Sequence, residues 1–297
     1  MEYIKLSENL EFSRIIQGFF RLENWNKNTD ELADFMRYCI DCGVTTFDTA
    51  EIYGRGLVES AMGEVFARFP DIRSRIQLVS KTGIFVKQLS DREFWHYDTT
   101  YDRIINSCKQ SLQRLHCDYL DLYLIHREDP CIDHHETARA LLDLKQSGLV
   151  REIGVSNFDP HKFNALNKCT GNQLVTNQIE CNPCCFEHFN SGMIDFLTAD
   201  SIHPMIWSPL AGGSIFTSNE EKFIRVRNKL NEIAYRHQTS AASIAYAWLL
   251  YHPVKGMPIS GSGKVERLNE AVNALDVKLK HYEWYEIYLA SGQQILR

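Results

Sequence analysis

Short β-branched or aromatic runs alternate with amphipathic stretches along this chain, and that alternation leaves few folds open to it. Arg14 to Gly18, Val44 to Phe47, Ile76 to Lys81, Tyr119 to His126, Arg151 to Val155, Leu174 to Gln178, His203 to Trp207 and Lys255 to Ser260 read as strands separated by helix-like stretches. Repeated strand and helix with short connections predicts a parallel sheet, and eight such units predict closure into a (β/α)8 TIM barrel. A barrel of about 250 residues plus trimmings fits. The 297 residues show no linker, low-complexity tract or composition break, so 1–297 reads as a single barrel domain.

The helices follow from pattern and caps. Leu32, Phe35, Met36, Cys39 and Ile40 fall at spacings of three and four between Asp30 and Cys42, and Ile104, Ile105, Cys108, Leu112 and Leu115 do likewise behind a Thr99/Thr100 cap. Phe223 to Arg236 and Ser240 to Leu250 predict two successive helices, and Val265 to Leu275 another after the last strand, giving extra C-terminal helices. Ahead of the first unit, Ile4-Lys-Leu and Leu10-Glu-Phe around Ser7-Glu-Asn predict an N-terminal β-hairpin placed to plug the barrel's bottom. Thr82 to Asp98, with Phe85, Phe94, Trp95 and Tyr97, stands outside the repeat and predicts a long loop over the top face.

Four polar side chains stand at or just beyond strand ends. Asp48 and Tyr53 leave one strand in Asp48-Thr-Ala-Glu-Ile-Tyr53-Gly54, Lys81 finishes a second, and His126 finishes a third. Barrel enzymes draw their catalytic groups from the ends of several strands, so these four predict one site. Singly, each has an ordinary explanation: a capping aspartate, a turn tyrosine, an edge lysine, and a polar loop onset at His126-Arg127-Glu128-Asp129. The combination carries the functional reading.

Charge and cysteine usage narrow the classes. A net charge of -6 without basic blocks gives no electrostatic reason to expect nucleic acid or an anionic membrane. Charges interrupt the N-terminal segment every few residues and no stretch approaches a membrane span, so the chain reads as cytoplasmic, with a small soluble molecule as its partner and its oligomeric state open. Nine cysteines are an odd set, many within apolar patterns, and predict reduced thiols. Cys39/Cys42 and Cys181/Cys184, with Cys185 and His134-His135, lie too far apart for structural zinc, and no metal is expected. Gly261-Ser-Gly-Lys264 departs from a nucleotide phosphate loop, with Pro258 where the first glycine belongs and Val265 in the Ser/Thr place.

In order along the chain, Asp48-Thr-Ala-Glu-Ile-Tyr53-Gly, Lys81, His126, Gly154-Val-Ser-Asn-Phe158, Asn177-Gln178 and Trp207-Ser208-Pro209-Leu210 resemble the aldo-keto reductases over nearly the whole chain. The resemblance implies a barrel oxidoreductase using NADPH, with NADH as the alternative, to reduce an aldehyde or ketone. It implies Tyr53 as general acid, Lys81 and Asp48 as its tuning pair, and His126 as the group orienting the carbonyl. Hydride delivery to a carbonyl carbon builds charge on its oxygen, so a proton donor and nearby hydrogen-bonding groups lower the barrier. A free tyrosine titrates near ~10, and the Lys81 ammonium is expected to pull Tyr53 below that.

The same resemblance implies that Ser156, Asn157 and Gln178 hold the nicotinamide carboxamide, that Trp207 stacks on the ring, and that Ser208, Pro209 and Leu210 continue along the cofactor. Taken bare, Gly-Val-Ser-Asn is a strand-to-helix turn with a good cap. Ser262, Lys264 and Arg267 stand at a helix start suited to an anion, and the resemblance implies that they hold the 2′-phosphate of NADPH, with Glu270 near the adenine. Ala271 follows Glu270 where the family often has asparagine. After Leu289 the tail is short, which predicts an open pocket walled by Phe19, Phe20, Trp25, Phe85 and Trp95. Two rivals exist: a non-catalytic nicotinamide-binding regulatory subunit on the same barrel, and an aldolase using Lys81 as a Schiff-base amine, disfavoured by Tyr53 and the anion site at Lys264.

Overall fold

Strands Ile16–Gly18, Thr46–Asp48, Gln77–Thr82, Leu120–Ile125, Val150–Ser156, Leu174–Glu180, Met205–Trp207 and Met257–Ser260 close into an eight-stranded barrel in the computed structural model, which describes residues 1–88 and 93–295. Neighbours pair in parallel in chain order, and the last strand pairs with the first. Each predicted run contributes one strand, so the (β/α)8 barrel read from the sequence is the fold. Register places Gly18 beside Asp48, Asp48 beside Val79, and Lys81 beside Leu124. The second, third and fourth strands therefore deliver Asp48, Lys81 and His126 to one rim.

Several helices start at side-chain caps, whereas Thr100, ahead of Tyr101–Arg114, makes no capping bond. Asn28 accepts from the Glu31 N–H at 3.0 Å while the Glu31 carboxylate accepts from the Asn28 N–H at 2.9 Å, a reciprocal pair that sets off Thr29–Asp41. Asp133 and Asp159 cap His134–Gln146 and Pro160–Cys169 in the same sense. Glu221–His237 and Ala241–Tyr251 are the two successive helices, and Val265–Asn273 ends in a tight turn at Ala274–Asp276, short of the predicted Leu275. The last helix, His281–Ala290, packs on Glu221–His237, where Glu283 accepts from Arg236 at 3.3 Å and pairs with His237 at 2.8 Å. Among the described residues no helix is long and apolar enough to cross a membrane.

Two apolar layers hold the barrel. One lies between strands and helices; the other fills the barrel itself with Ile16, Val79, Leu122, Leu124, Met205 and Met257. Ile4, Leu10 and Phe12 from the hairpin Tyr3–Ser7/Leu10–Ser13 join this interior layer. Phe12 is completely buried, a contribution of about 1.5–3 kcal/mol. The Ser13 hydroxyl accepts from the backbone N–H groups of Thr45 and Thr46, so the hairpin closes the end where the second strand begins, opposite the rim of polar residues.

Thr82 to Asp98 is not, over its described residues, the irregular loop that the sequence predicts. Ile84–Gln88 pairs antiparallel with Glu93–Tyr97 in a two-stranded ribbon, with 89–92 outside the described residues. Ile84, Phe85 and Val86 opposite Trp95, His96 and Tyr97 are residues that favour strands, and the Phe85 and His96 rings meet at 5.0 Å. Arg103 lies 5.1 Å over the Phe85 ring, which ties the ribbon to helix Tyr101–Arg114.

Candidate active site

Asp48 is the last residue of its strand, and the chain then turns sharply. Gly54, Arg55 and Gly56 take positive φ values of 53°, 54° and 92° just after Tyr53. This left-handed stretch folds the Tyr53 ring back over the strand end. Lys81 is wholly buried below it, and its ammonium donates to Asp48 Oδ2 at 2.8 Å, to the Thr49 carbonyl at 2.8 Å and to the Tyr53 hydroxyl at 3.3 Å. All three ammonium protons have partners. Asp48 also accepts from Gln178 Nε2 at 2.8 Å, so the sixth strand braces the second across the barrel mouth. The His126 ring stands edge-on to Tyr53 at 5.8 Å, and its Nδ1 is buried without a partner among the described residues.

Burial and charge compete over these groups. Burial pushes the Tyr53 phenol up, the Lys81 ammonium opposes it, Asp48 adds to the rise, and the net direction is upward. The expected downward pull is thus overturned: desolvation outweighs Lys81 and, behind it, Arg127. Burial by itself would lower Lys81, but Asp48 and Tyr53 outweigh it and hold the ammonium above its ordinary value. Burial, then Lys81 and Arg127, drive His126 well below its ordinary value, so the imidazole is neutral at pH 7. The rim at neutral pH therefore presents a protonated phenol, an ammonium matched by a carboxylate, and an uncharged imidazole.

A cleft of about 480 Å³ runs from Tyr53 and His126 past Ser156, Asn157, Gln178 and Trp207 and along Ser208, Pro209 and Leu210 to Ser262, Arg267 and Glu270. Asn157 and Ser208 take positive φ, 61° and 51°, where the fifth and seventh strands end and the chain swings outward. Ser156 Oγ donates to the Gln178 carbonyl at 2.9 Å. Asn157 donates to Ser156 Oγ at 2.8 Å and to the His126 carbonyl at 3.2 Å, and its Oδ1 accepts from Trp207 Nε1 at 2.9 Å. At the far end Arg267 donates to Glu270 at 2.8 Å, beside the start of helix Val265–Asn273.

Not every predicted residue reaches the cleft. The Lys264 side chain is exposed at the N-cap position and does not line it. Of the five predicted aromatic walls only Phe20 does, with its ring 4.9 Å from Tyr53. Phe19 is completely buried against Phe47 and Trp25. Trp25 lies on Gly263, where an added Cβ would sit 2.3 Å from the indole, so it backs the loop that carries Ser262. Phe85 and Trp95 belong to the ribbon and do not line the cleft. Among the described residues none beyond Glu270 lines the cleft.

The sequence reading missed several lining residues, among them Arg21, Arg127, Phe216, Thr217 and Tyr246. Arg21 donates to the Gly212 carbonyl at 3.0 Å, joining the loop after the first strand to that after the seventh. Arg127 adjoins His126 and reads in sequence as loop onset, and Tyr246 is hidden in the apolar helix Ala241–Tyr251. All nine cysteines are free thiols.

Residues 14–290 match the model of the aldo/keto reductase family. The chain is 43% identical over 295 residues to the uncharacterised oxidoreductase YcsN of Bacillus subtilis, covering 98% of each. It is 38% identical over 299 residues to a 6-dehydroglucose reductase of Agrobacterium fabrum, covering 99% of this chain and all of the other. Among solved structures, a thermostable aldo-keto reductase in complex with the inhibitor epalrestat superposes with a TM-score of 0.81 at 28% identity, over 98% of this chain and 100% of that one.

Proposed function

The chain belongs to the aldo/keto reductase family, whose members generally use nicotinamide cofactors, and from that premise we propose that it is an NADPH-dependent reductase of aldehydes or ketones with Tyr53 as proton donor. The observation that carries this reading is the bond from the buried Lys81 ammonium to the Tyr53 hydroxyl at the cleft wall, with Asp48 holding the ammonium from below.

The donor set fits a dinucleotide. Ser156, Asn157 and Gln178 offer hydroxyl and amide groups suited to a carboxamide, Trp207 offers a flat face, and Arg267 at the opposite end offers a fork for a 2′-phosphate. Ser208, Pro209 and Leu210 line the path between, with Ser262 near the phosphate end and Glu270 toward the adenine. Bound there, NADPH supplies hydride to the carbonyl carbon.

The chain's own residues do the rest. Tyr53 gives its hydroxyl proton to the carbonyl oxygen as negative charge develops there. The Lys81 ammonium stabilises the phenolate left behind, and Asp48 keeps Lys81 charged and in place. His126, being neutral, donates a ring N–H to the same oxygen and sets the angle of the carbonyl. The relative called a 6-dehydroglucose reductase supports reduction as the direction. The free thiols suit a cytoplasmic setting. Following NADPH absorbance over a panel of aldehydes and ketones tests the proposal, with Tyr53→Phe expected to lose roughly 10²–10⁴-fold in kcat. Turnover unchanged in that variant would remove the assigned proton donor.

A further inference from the structure

We propose that Arg127 recognises a carboxylate on the substrate, so that the preferred carbonyl compounds carry an acid group within reach of the reacting carbon. The proposal deepens the reductase reading and rests on it for where the carbonyl lies. Arg127 follows His126 and lines the cleft at the Tyr53 end, with its guanidinium 5.5 Å over the ring of Trp207. The side chain is half-buried, yet among the described residues it makes no hydrogen bond and no ion pair. The other arginine so left, Arg139, is exposed on a helix and rests on Tyr101. A guanidinium in a cleft, short of partners, is a ready fork for a planar carboxylate.

The charges of the cleft agree. Asp48 is matched by Lys81 and Glu270 by Arg267, which leaves Arg21 and Arg127 as unmatched cations in a protein of net charge -6. Such a local field draws anions inward. Arg21 is held to the Gly212 carbonyl at the loop that bridges the cleft, and Arg267 stands at the far end, whereas Arg127 lines the cleft next to His126 with no such partner. Glu180 is close enough to sense Arg127 but lies beyond ion-pairing distance, with Asn182 3.5 Å from its carboxylate.

The test compares 4-carboxybenzaldehyde with benzaldehyde, which differ only in the acid. In the wild-type chain kcat/KM is expected to favour the acid at least tenfold. Arg127→Met should cut that ratio at least tenfold, and Arg127→Lys should restore part of it. A ratio that does not change in Arg127→Met overturns the proposal. Calorimetric titration of the full chain with 4-carboxybenzaldehyde gives a readout free of turnover, in which Arg127→Met should bind at least tenfold more weakly; equal affinity overturns it. Should no carbonyl turn over while binding still depends on Arg127, the reductase reading falls and the anion site stands. Should both aldehydes turn over equally well, the reverse holds.

Discussion

Lys81 donates to the Tyr53 hydroxyl at 3.3 Å while its remaining protons go to Asp48 and the Thr49 carbonyl at 2.8 Å. One buried ammonium thus links the phenol to the carboxylate that neutralises it. On the proposed mechanism Lys81→Met should lose at least about 10²-fold in kcat, because the phenolate left by proton transfer would lose its counter-charge. The same change leaves Asp48 buried without its cation, at a cost of about 3–5 kcal/mol. Steady-state kinetics and a thermal melt check both effects. Folding raises Lys81 above its ordinary 10.5, so its contribution to stability is complete below that pH and is lost as pH rises through the folded value.

In the proposed reaction Tyr53 is the acid, and burial raises it above the ordinary 10.0 despite Lys81. The proton needed for reduction is therefore present throughout the neutral range. The expected profile of kcat/KM for reduction is level on this account and declines only above pH 10. A decline set between pH 7 and 9 and abolished by Tyr53→Phe would show that the ammonium outweighs burial after all.

His126 gives a separate prediction at the acid end. Burial together with Lys81 and Arg127 keeps the imidazole neutral well below its ordinary 6.5, so no limb should appear in kcat/KM as pH crosses that value. NMR titration of the His126 ring protons is the direct check. A midpoint near 6.5 would contradict the electrostatic account of the rim.

Arg267→Ala should weaken NADPH by about 10–100-fold, the range expected when a charge-assisted pair to phosphate is lost, while NADH changes far less. The geometry adds a second effect, because Glu270, now paired with Arg267 at 2.8 Å, would be left as a bare carboxylate near that phosphate. Equal weakening of both cofactors, measured by fluorescence titration, would count against a 2′-phosphate at this end.

Much of this was legible from residue order, and the exceptions have physical causes. Leu120–Ile125 is buried at every position, which is why a largely apolar run ending at His126 identified a barrel strand whose end borders the cleft. Side-chain direction beyond a strand end was not legible. Phe19 and Phe20 are adjacent and alike, yet one turns into the core against Phe47 and the other toward Tyr53. The ribbon after Lys81 was hidden because a hairpin falls outside the strand–helix repeat. The direction of Tyr53 depends on how deeply it is buried, a quantity its neighbours in sequence do not carry.

The placement of the aromatics supplies the last prediction. Phe20 is 62% exposed, its ring meets Tyr53 at 4.9 Å, and little of its surface contributes to folding. Phe20→Ala should therefore raise KM several-fold, about 1 kcal/mol of lost apolar contact, with the melting temperature nearly unchanged. Trp95 is almost as exposed, at 56%, but stands on the ribbon and does not line the cleft, so Trp95→Ala should leave KM as it was. Exposure alone cannot separate these two residues; the ring contact of Phe20 with Tyr53 and its place in the cleft lining do. If both variants raised KM alike, the ribbon would have to reach the substrate during turnover, and a cleft lined by Phe20 without the ribbon would be the wrong picture of the working site.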